Sequence, residues 1–364
     1  MDQALATSVG DAVGVIDRLA RRVVSDPLEL EPSLVSARVR QLLPTEAPLL
    51  EATAAEAVVD AVVGLGPVEA LLRDPLVSDV LINGDGQAWV ERSGSLERSD
   101  VRFDTPEDLV AAIERVIAPL GLRLDRASPA VDARLRDGSR LHAIIPPASV
   151  DGPVLAIRRF TEVVGSLDEL VVTRSVSAEG AALLRSLVAE RRNILICGPT
   201  GAGKTTLLNI LSHAIPDGER IVTIEDAAEL RLRGHVVRLE GHPANSEGVG
   251  AISQRQLLRH ALRLRPDRII VGEVRGAEAF DMLQAMSTGH EGSMSTLHAR
   301  SAEEALWRLE TLALLDTAAT EASIRRQVVG VLDAVVVTGR QGGRRVVRSI
   351  NRVAPDLEAV YECS

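Results

Sequence analysis

A chain of 364 residues, 46% hydrophobic but only 2% aromatic, has length for about two or three domains with aliphatic cores. Its net charge of −10 disfavours a general nucleic-acid binder and leaves only a local basic patch open. Two cysteines, Cys197 and Cys363, give no disulfide framework and fit a reduced, cytosolic setting, and no apolar run nears the ~18 residues of a membrane span.

The first residues, MDQALATSVGDAVG, lack the basic-then-apolar design of a secretion signal. Residues 1–58 read as a helical segment carrying Val13, Ile16, Leu19, Val23 and Val24. Pro27, Pro32 and Pro44 are expected to break it into short pieces. It carries no chemistry and suits packing or docking.

From Val59 the texture changes. Val80–Ile82 and Gln87–Glu91 flank Asn83-Gly84-Asp85-Gly86, two strands about a tight turn. A turn at Ser93-Gly94 leads to a third strand near Leu96–Phe103. Thr105, Pro106 and Asp108 signal a helix start, with the helix running to about Ala118. Strands return at Val131–Leu135, Arg140–Ile145 and Val154–Phe160. This predicts a smaller α/β domain over 59–160. Residues 161–176 show no period and read as a linker. Ser177 and Gly180 open a helix to Glu190. Strands and helices then alternate: 193–197, 203–214, 220–225, 253–264, 268–273, 276–287, 293–298 and 301–315. Strand-like runs at Val331–Val337 and Arg345–Ile350 close the pattern. Such alternation predicts a mostly parallel sheet covered by helices over 177–364.

The chemistry centres on NILICGPTGAGKTTLL, residues 193–208. An apolar strand runs into a glycine-rich loop, and a helix follows. Gly198, Gly203, Lys204 and Thr205 fit the phosphate-binding loop pattern G-x-x-x-x-G-K-[ST]. Glycines let successive amides curl toward an anion, and the helix start adds its dipole. The predicted nucleotide ligands are Gly198, Pro199, Thr200, Gly201, Ala202, Gly203, Lys204, Thr205 and Thr206. Lys204 reaches the β- and γ-phosphates and the Thr205 hydroxyl suits Mg²⁺. Lys204 is also the only lysine in the chain, a compact ammonium where an arginine fork would not serve.

Later segments narrow this. Arg268–Glu273 is a buried strand ending in a carboxylate, placed to position or deprotonate an attacking water. Ile221–Ile224 ends in Glu225-Asp226, with Glu229 three residues on. Two readings stand for these acids: Mg²⁺ held through water, or a helix N-cap of Asp226 with Glu229 as its box partner. Residues 289–298 hold His290 and His298, spaced too far apart for a metal pair but suited to sensing a γ-phosphate. Arg255, Arg259 and Arg263 share a helical face. With no aromatic residues beside them they read as a solvated face or subunit contact rather than a nucleic-acid stripe.

Taken together, GPTGAGKTTLLN, TIEDAAEL, HVVRLEGHPANSEGVG, LRLRPDRIIVGEVRGAEAFDMLQAM and STGHEGSMSTLHA resemble the secretion-ATPase superfamily of type II and type IV secretion systems. Within it they are most similar to the ATPases of tight-adherence (Flp) pilus assembly. The resemblance covers roughly residues 60 to 350. It implies a RecA-like P-loop domain with a smaller N-terminal, PAS-like α/β domain, assembled as a hexamer. It implies Glu273 as the Walker B glutamate acting on water. Glu225, Asp226 and Glu229 fall on the acids of the family's Asp box, and His290 with His298 on its His box. DARLRDGSRLHAIIPP and VLAIRRF resemble segments that lend arginines to the nucleotide, which picks out Arg140 and Arg158, with Arg134 behind them. Such a motor would hydrolyse ATP with Mg²⁺ and turn the lobes about the linker. It would work in the cytoplasm at the inner face of the membrane, driving platform proteins to assemble or retract a pilus. Two other classes stay open: a type IV secretion ATPase exporting protein or DNA, and a DNA-handling motor.

Overall fold

The computed structural model describes residues 14–26, 31–47, 52–92, 94–159, 165–242, 249–354 and 356–363. Several sequence expectations lie outside the described residues: the chain start, the break at Pro27, the turn at Ser93, the strand end at Phe160, the linker at 161–164 and the segment 243–248. The chain divides into two units, Met1–Thr161 and Glu162–Ser364, each with its own core.

In the first unit, helices α1 (14–24), α2 (Pro32–Glu46) and α3 (Ala52–Val63) precede the sheet. Pro32 opens α2, where a missing N–H costs nothing. Pro44 does not break the run as expected. It lies inside the last turn of α2, and Ala47 N still bonds Leu43 O (2.9 Å). Leu19, Val23, Val35, Val39, Leu42, Val58 and Val62 form one cluster, so α3 carries this packing past residue 58.

After the short α4 (Glu69–Arg73) come β1 (Val77–Ile82), β2 (Gln87–Arg92), β3 (Ser95–Arg102), α5 (Pro106–Ile117), β4 (Ala130–Arg134), β5 (Arg140–Ile144) and β6 (Val154–Arg158). They make a six-stranded sheet ordered β3-β2-β1-β6-β5-β4, antiparallel throughout. Gly86, at φ +79°, closes the β1–β2 turn through its N–H to Asn83 O (2.8 Å). Thr105 caps α5 through Asp108 N (3.1 Å). Leu109, Ala112, Ile113 and Ile117 of α5 join Val80, Ile82, Leu141, Leu155 and Ile157 in a common core. β4, β5 and β6 alternate buried positions with more exposed ones, so one face of that half of the sheet is apolar and the other wet.

The second unit starts with α6 (Leu167–Val172), inside the stretch read as a linker. Ser166 caps it by accepting from Glu169 N (3.1 Å). Then follow α7 (Ala178–Ala189), β7 (Ile194–Cys197), α8 (Lys204–Ser212), β8 (Arg220–Glu225), β9 (His235–Glu240), α9 (Gln254–Ala261), β10 (Arg268–Val271), α10 (Glu278–Ser287) and β11 (Met294–Leu297). The unit ends with α11 (Ala302–Ala313), α12 (Glu321–Val331), β12 (Ala334–Gln341), β13 (Arg344–Arg352) and β14 (Glu358–Glu362). The eight strands run β14-β13-β12-β7-β11-β10-β8-β9. All from β12 to β9 are parallel, and β13 and β14 add on antiparallel. β7, β10 and β11 are buried at every position because helices cover both faces. One face packs α9 to α12 through Leu258, Met282, Leu309 and Val328. The other packs α7 and α8 through Leu184, Val188, Leu207 and Leu211.

Arg268 opens β10 with no exposed surface. Its guanidinium makes a forked pair with Glu219, Nε to Oε2 at 2.6 Å and Nη2 to Oε1 at 2.9 Å, and Nη1 donates to Val188 O at 2.9 Å. The buried guanidinium and the half-buried Glu219, which Arg191 also meets at 3.2 Å, thus lock the N-terminal edge of the sheet. The opposite edge is left for chemistry.

Candidate nucleotide site

β7 ends at Cys197 and the chain turns through 198–203 into α8. Gly201 (φ +71°) and Gly203 (φ +91°) take left-handed backbone that side-chain-bearing residues adopt only at a cost. Gly198 has no room for a side chain: a Cβ there would sit 2.3 Å from Thr338 Oγ1. The Thr338 hydroxyl donates to Cys197 O (3.0 Å), so β12 fixes the start of the loop. Pro199 and Thr200 are exposed, and the buried Ala202 donates its N–H to Pro199 O (3.2 Å). Gly203 precedes α8 with no side-chain cap, which leaves the first-turn amides for an anion. Thr205 and Thr206 follow, half-buried.

Lys204 is 7% exposed. Its Nζ donates to Gly198 O (3.1 Å) and Pro199 O (3.3 Å) and faces the His298 ring, 3.3 Å from Nδ1 and 3.4 Å from Nε2. Burial lowers its pKa, and the Glu273 carboxylate opposes that shift. His298 Nε2 lies 2.8 Å from Glu273 Oε1. A carboxylate oxygen can only accept, so the ring's N–H sits on Nε2 and donates to Glu273. Burial first, then the Lys204 ammonium, hold the His298 pKa below its usual value, so the ring is neutral at pH 7. Glu273 Oε2 is paired with Arg275, whose Nη1 lies 3.6 Å from Asp226 Oδ2. A continuous polar line therefore joins Lys204, His298, Glu273, Arg275 and Asp226, all past the C-terminal ends of β7, β11, β10 and β8.

Glu225 plays a different part. It is 3% exposed, and its Oε1 accepts from Glu229 N (2.8 Å) and Leu230 N (2.9 Å). Desolvation drives its pKa up to about 7, with the two backbone N–H groups pulling the other way. Gly272 makes room for it: a Cβ there would meet Glu225 Cγ at 2.8 Å. The N-cap reading of Asp226 does not hold, because residues 226–233 form no helix. The Glu225 carboxylate collects the amides a helix would have used. Cys197 is buried, and its thiol is pushed up to about 12, chiefly by desolvation, which makes it a packing residue.

Among the described residues no cluster of three or more His, Cys, Asp or Glu could hold a metal. Mg²⁺ bound mainly by phosphate and water needs only one or two protein oxygens. Thr205 and Asp226 supply that donor type at this edge, with Glu229 nearby in the chain.

His290 is not drawn into the line. It half-buries beyond α10, with Nδ1 3.2 Å from Ala285 O. Arg255 and Arg259 both grip Asp281, at 2.7 and 2.9 Å, so this face ties α9 to α10. In the first unit, cross-strand register sets Arg134 opposite Arg140, Arg140 opposite Arg158, and Arg158 opposite Asp79. All four lie on the sheet face away from the core. Arg158 Nε bonds Asp79 Oδ1 at 2.9 Å.

Three residues at the site escape the sequence reading. Arg275 had one available signal, its place two residues beyond Glu273. Arg340 and Arg345 reach Gly201 O with their Nε atoms at 3.4 and 3.2 Å, from a hairpin more than a hundred residues downstream, and no local pattern marks them.

A glycine-rich loop on a buried parallel strand, a lysine within it and a carboxylate beyond a neighbouring strand define a P-loop nucleotide-binding protein. Residues 61–340 match the family described as Type II/IV secretion system protein. The chain is 41% identical over 293 residues to a putative conjugal transfer protein of Mycobacterium tuberculosis, spanning 78% of this chain and 83% of that protein. It is 35% identical over 301 residues to the type IV secretion system protein PtlH of Bordetella pertussis, spanning 75% and 88%. The fold is shared with the pilus retraction motor PilT (21% identity, TM-score 0.56, 80% of this chain and 82% of that one). It is shared also with the Legionella pneumophila ATPase DotB (19%, TM-score 0.54, 78% of each). The chain belongs to the type II/IV secretion system protein family. It is an ATPase.

Proposed function

We propose that this ATPase is the motor of a secretion machine, converting ATP hydrolysis into work on a membrane-embedded apparatus. The observation that carries this is the unbroken line from Lys204 through His298 to Glu273. The loop amides and Lys204 hold the β- and γ-phosphates. Glu273 orients the attacking water and takes its proton. His298, bonded to both Lys204 and Glu273, registers the γ-phosphate, with His290 the second histidine of that segment. Mg²⁺, on Thr205 and through water on Asp226 and Glu229, neutralises phosphate charge when bound. Glu225 keeps the Asp226–Glu229 segment in place. Arg140 and Arg158 lend positive charge to the transferring phosphoryl group, a role supported by their shared sheet face and by the family resemblance of their segments.

We read the larger unit as RecA-like and the smaller as PAS-like, working as a homo-hexamer on inner-membrane platform proteins from the cytoplasmic side. No helix among the described residues is long and apolar enough to cross a membrane, which accords with docking through partners. The relatives' names, conjugal transfer and type IV secretion, support export of protein or DNA as the client. Assembly of a tight-adherence pilus is the second reading, supported by the blocks TIEDAAEL and STGHEGSMSTLHA.

The test is a pair of substitutions. Glu273→Gln is expected to bind Mg·ATP while losing turnover by on the order of 10²–10³-fold. Lys204→Ala is expected to lose binding as well. Turnover by Glu273→Gln at the parent rate would remove Glu273 from the water-activating role.

A further inference from the structure

The β12–β13 hairpin places two arginines on the phosphate-binding loop, and the proposed chemistry uses neither. Arg340 and Arg345 stand directly opposite each other in register, and both are exposed. Like charges facing across strands repel, and a single shared carbonyl offsets two guanidinium charges only in part. The hairpin nonetheless holds both with care. Each spends its Nε on the same acceptor, Gly201 O, at 3.4 and 3.2 Å. Arg348 Nη2 donates to Arg340 O (2.9 Å), and a Cβ on Gly339 would come 2.2 Å from Arg348 Nε, so glycine is required there for the brace to pass. Arg345 Cδ lies 3.2 Å from where a Cβ on Gly203 would be. Both guanidinium groups are thereby held beside the loop by their Nε atoms, with their Nη groups not used in these two bonds.

Topology says what they meet. β11 and β12 flank β7 on opposite sides. Glu273 and His298 follow β10 and β11, so the reacting γ-phosphate points to the β11 side. A nucleotide laid across the end of β7 then extends its other end toward β12. We propose that Arg340 and Arg345 bind the nucleoside end of ATP, their planar guanidinium groups stacking on the base and donating to the ribose. This rests on the P-loop reading of residues 198–205.

The test compares two ligands by calorimetry: Mg·ATP, which has a nucleoside, and Mg·tripolyphosphate, which has none. For Arg340→Ala, Arg345→Ala and the double variant, affinity for ATP is expected to fall, by about 10–100-fold in the double variant, with KM rising more than kcat falls. Tripolyphosphate affinity is expected to stay within about twofold, the scatter of contacts that are not made, and its retention shows that the loop is folded. Arg345→Lys should recover little, because an ammonium cannot stack as a plane. Equal loss for both ligands would overturn the proposal and make the arginines mere braces of the loop. No loss for either would overturn it too. If Lys204→Ala bound ATP as tightly as the parent, the loop assignment itself would fail, a separate outcome.

Discussion

The two sheets follow different burial rules. In the parallel sheet, β7, β10 and β11 are buried along their whole length, so charged side chains gather where the strands start or end, and only small hydroxyls such as Ser295 and Thr296 lie within them. The polar line from Lys204 to Asp226 forms past the C-terminal ends, and the Arg268–Glu219 pair seals the other end. In the antiparallel sheet, β5 and β6 alternate, and a whole face is free to carry charge. Arg134, Arg140, Arg158 and Asp79 form a row across it. One sheet makes a site by running out of strand. The other makes a charged surface by register.

Three variants press on that contrast. The largest stability effect is expected from Arg268→Ala, which empties a fully buried guanidinium site at the parallel sheet and leaves Glu219 with Arg191 alone, 3.2 Å away. The cavity and the polar groups left without Arg268 together cost roughly 3–4 kcal/mol. Trp89 and Trp307 are the only two tryptophans, one in each unit. In a Trp89→Phe background, fluorescence during urea unfolding follows the second unit alone. The midpoint should fall there, while in a Trp307→Phe background the first unit should hold. A smaller effect is expected from Glu225→Gln. Because the folded pKa is raised from 4.5 to about 7, the folded chain binds the proton more tightly than the unfolded chain. Stability therefore declines as pH rises from about 4.5 to 7, by at most about 3 kcal/mol. The amide keeps the backbone contacts but cannot ionise, so its unfolding midpoint should lose this part of the decline, with His298 and Glu69 still titrating as in the parent. A midpoint that tracked the parent's would clear Glu225 of the dependence. The smallest is Arg158→Ala, whose exposed pair with Asp79 is worth less than about 1 kcal/mol. Its melting curve should match the parent's while turnover falls more than nucleotide affinity. Matched losses in both would make it a ground-state contact.

What the sequence made legible follows the same divide. Strands such as Ile194–Cys197 and the loop after them are local patterns: an apolar run, glycines, a helix start. β9 was missed because it lies at an edge and carries His235, Arg238 and Glu240 with no buried position. β14 is another exposed edge strand, and α6 is only six residues long. Val331 was read as strand, yet it ends α12, and β12 starts at Ala334. Asp226 suggested a helix cap because sequence shows the acid pair but not the direction of Glu225, which turns inward and takes the amides. Arg340 and Arg345 were invisible because only strand order brings them beside Gly201.

The solitary lysine has a consequence for reagents. Apart from the chain start, the protein offers acylating chemistry one amine, Lys204. Its burial favours the neutral, nucleophilic form, while anything lodged in the loop shields it. A lysine-specific endoprotease likewise has a single bond to cut, at the junction of loop and helix. Labelling and cleavage at one position thus become a direct gauge of whether that junction is formed and filled.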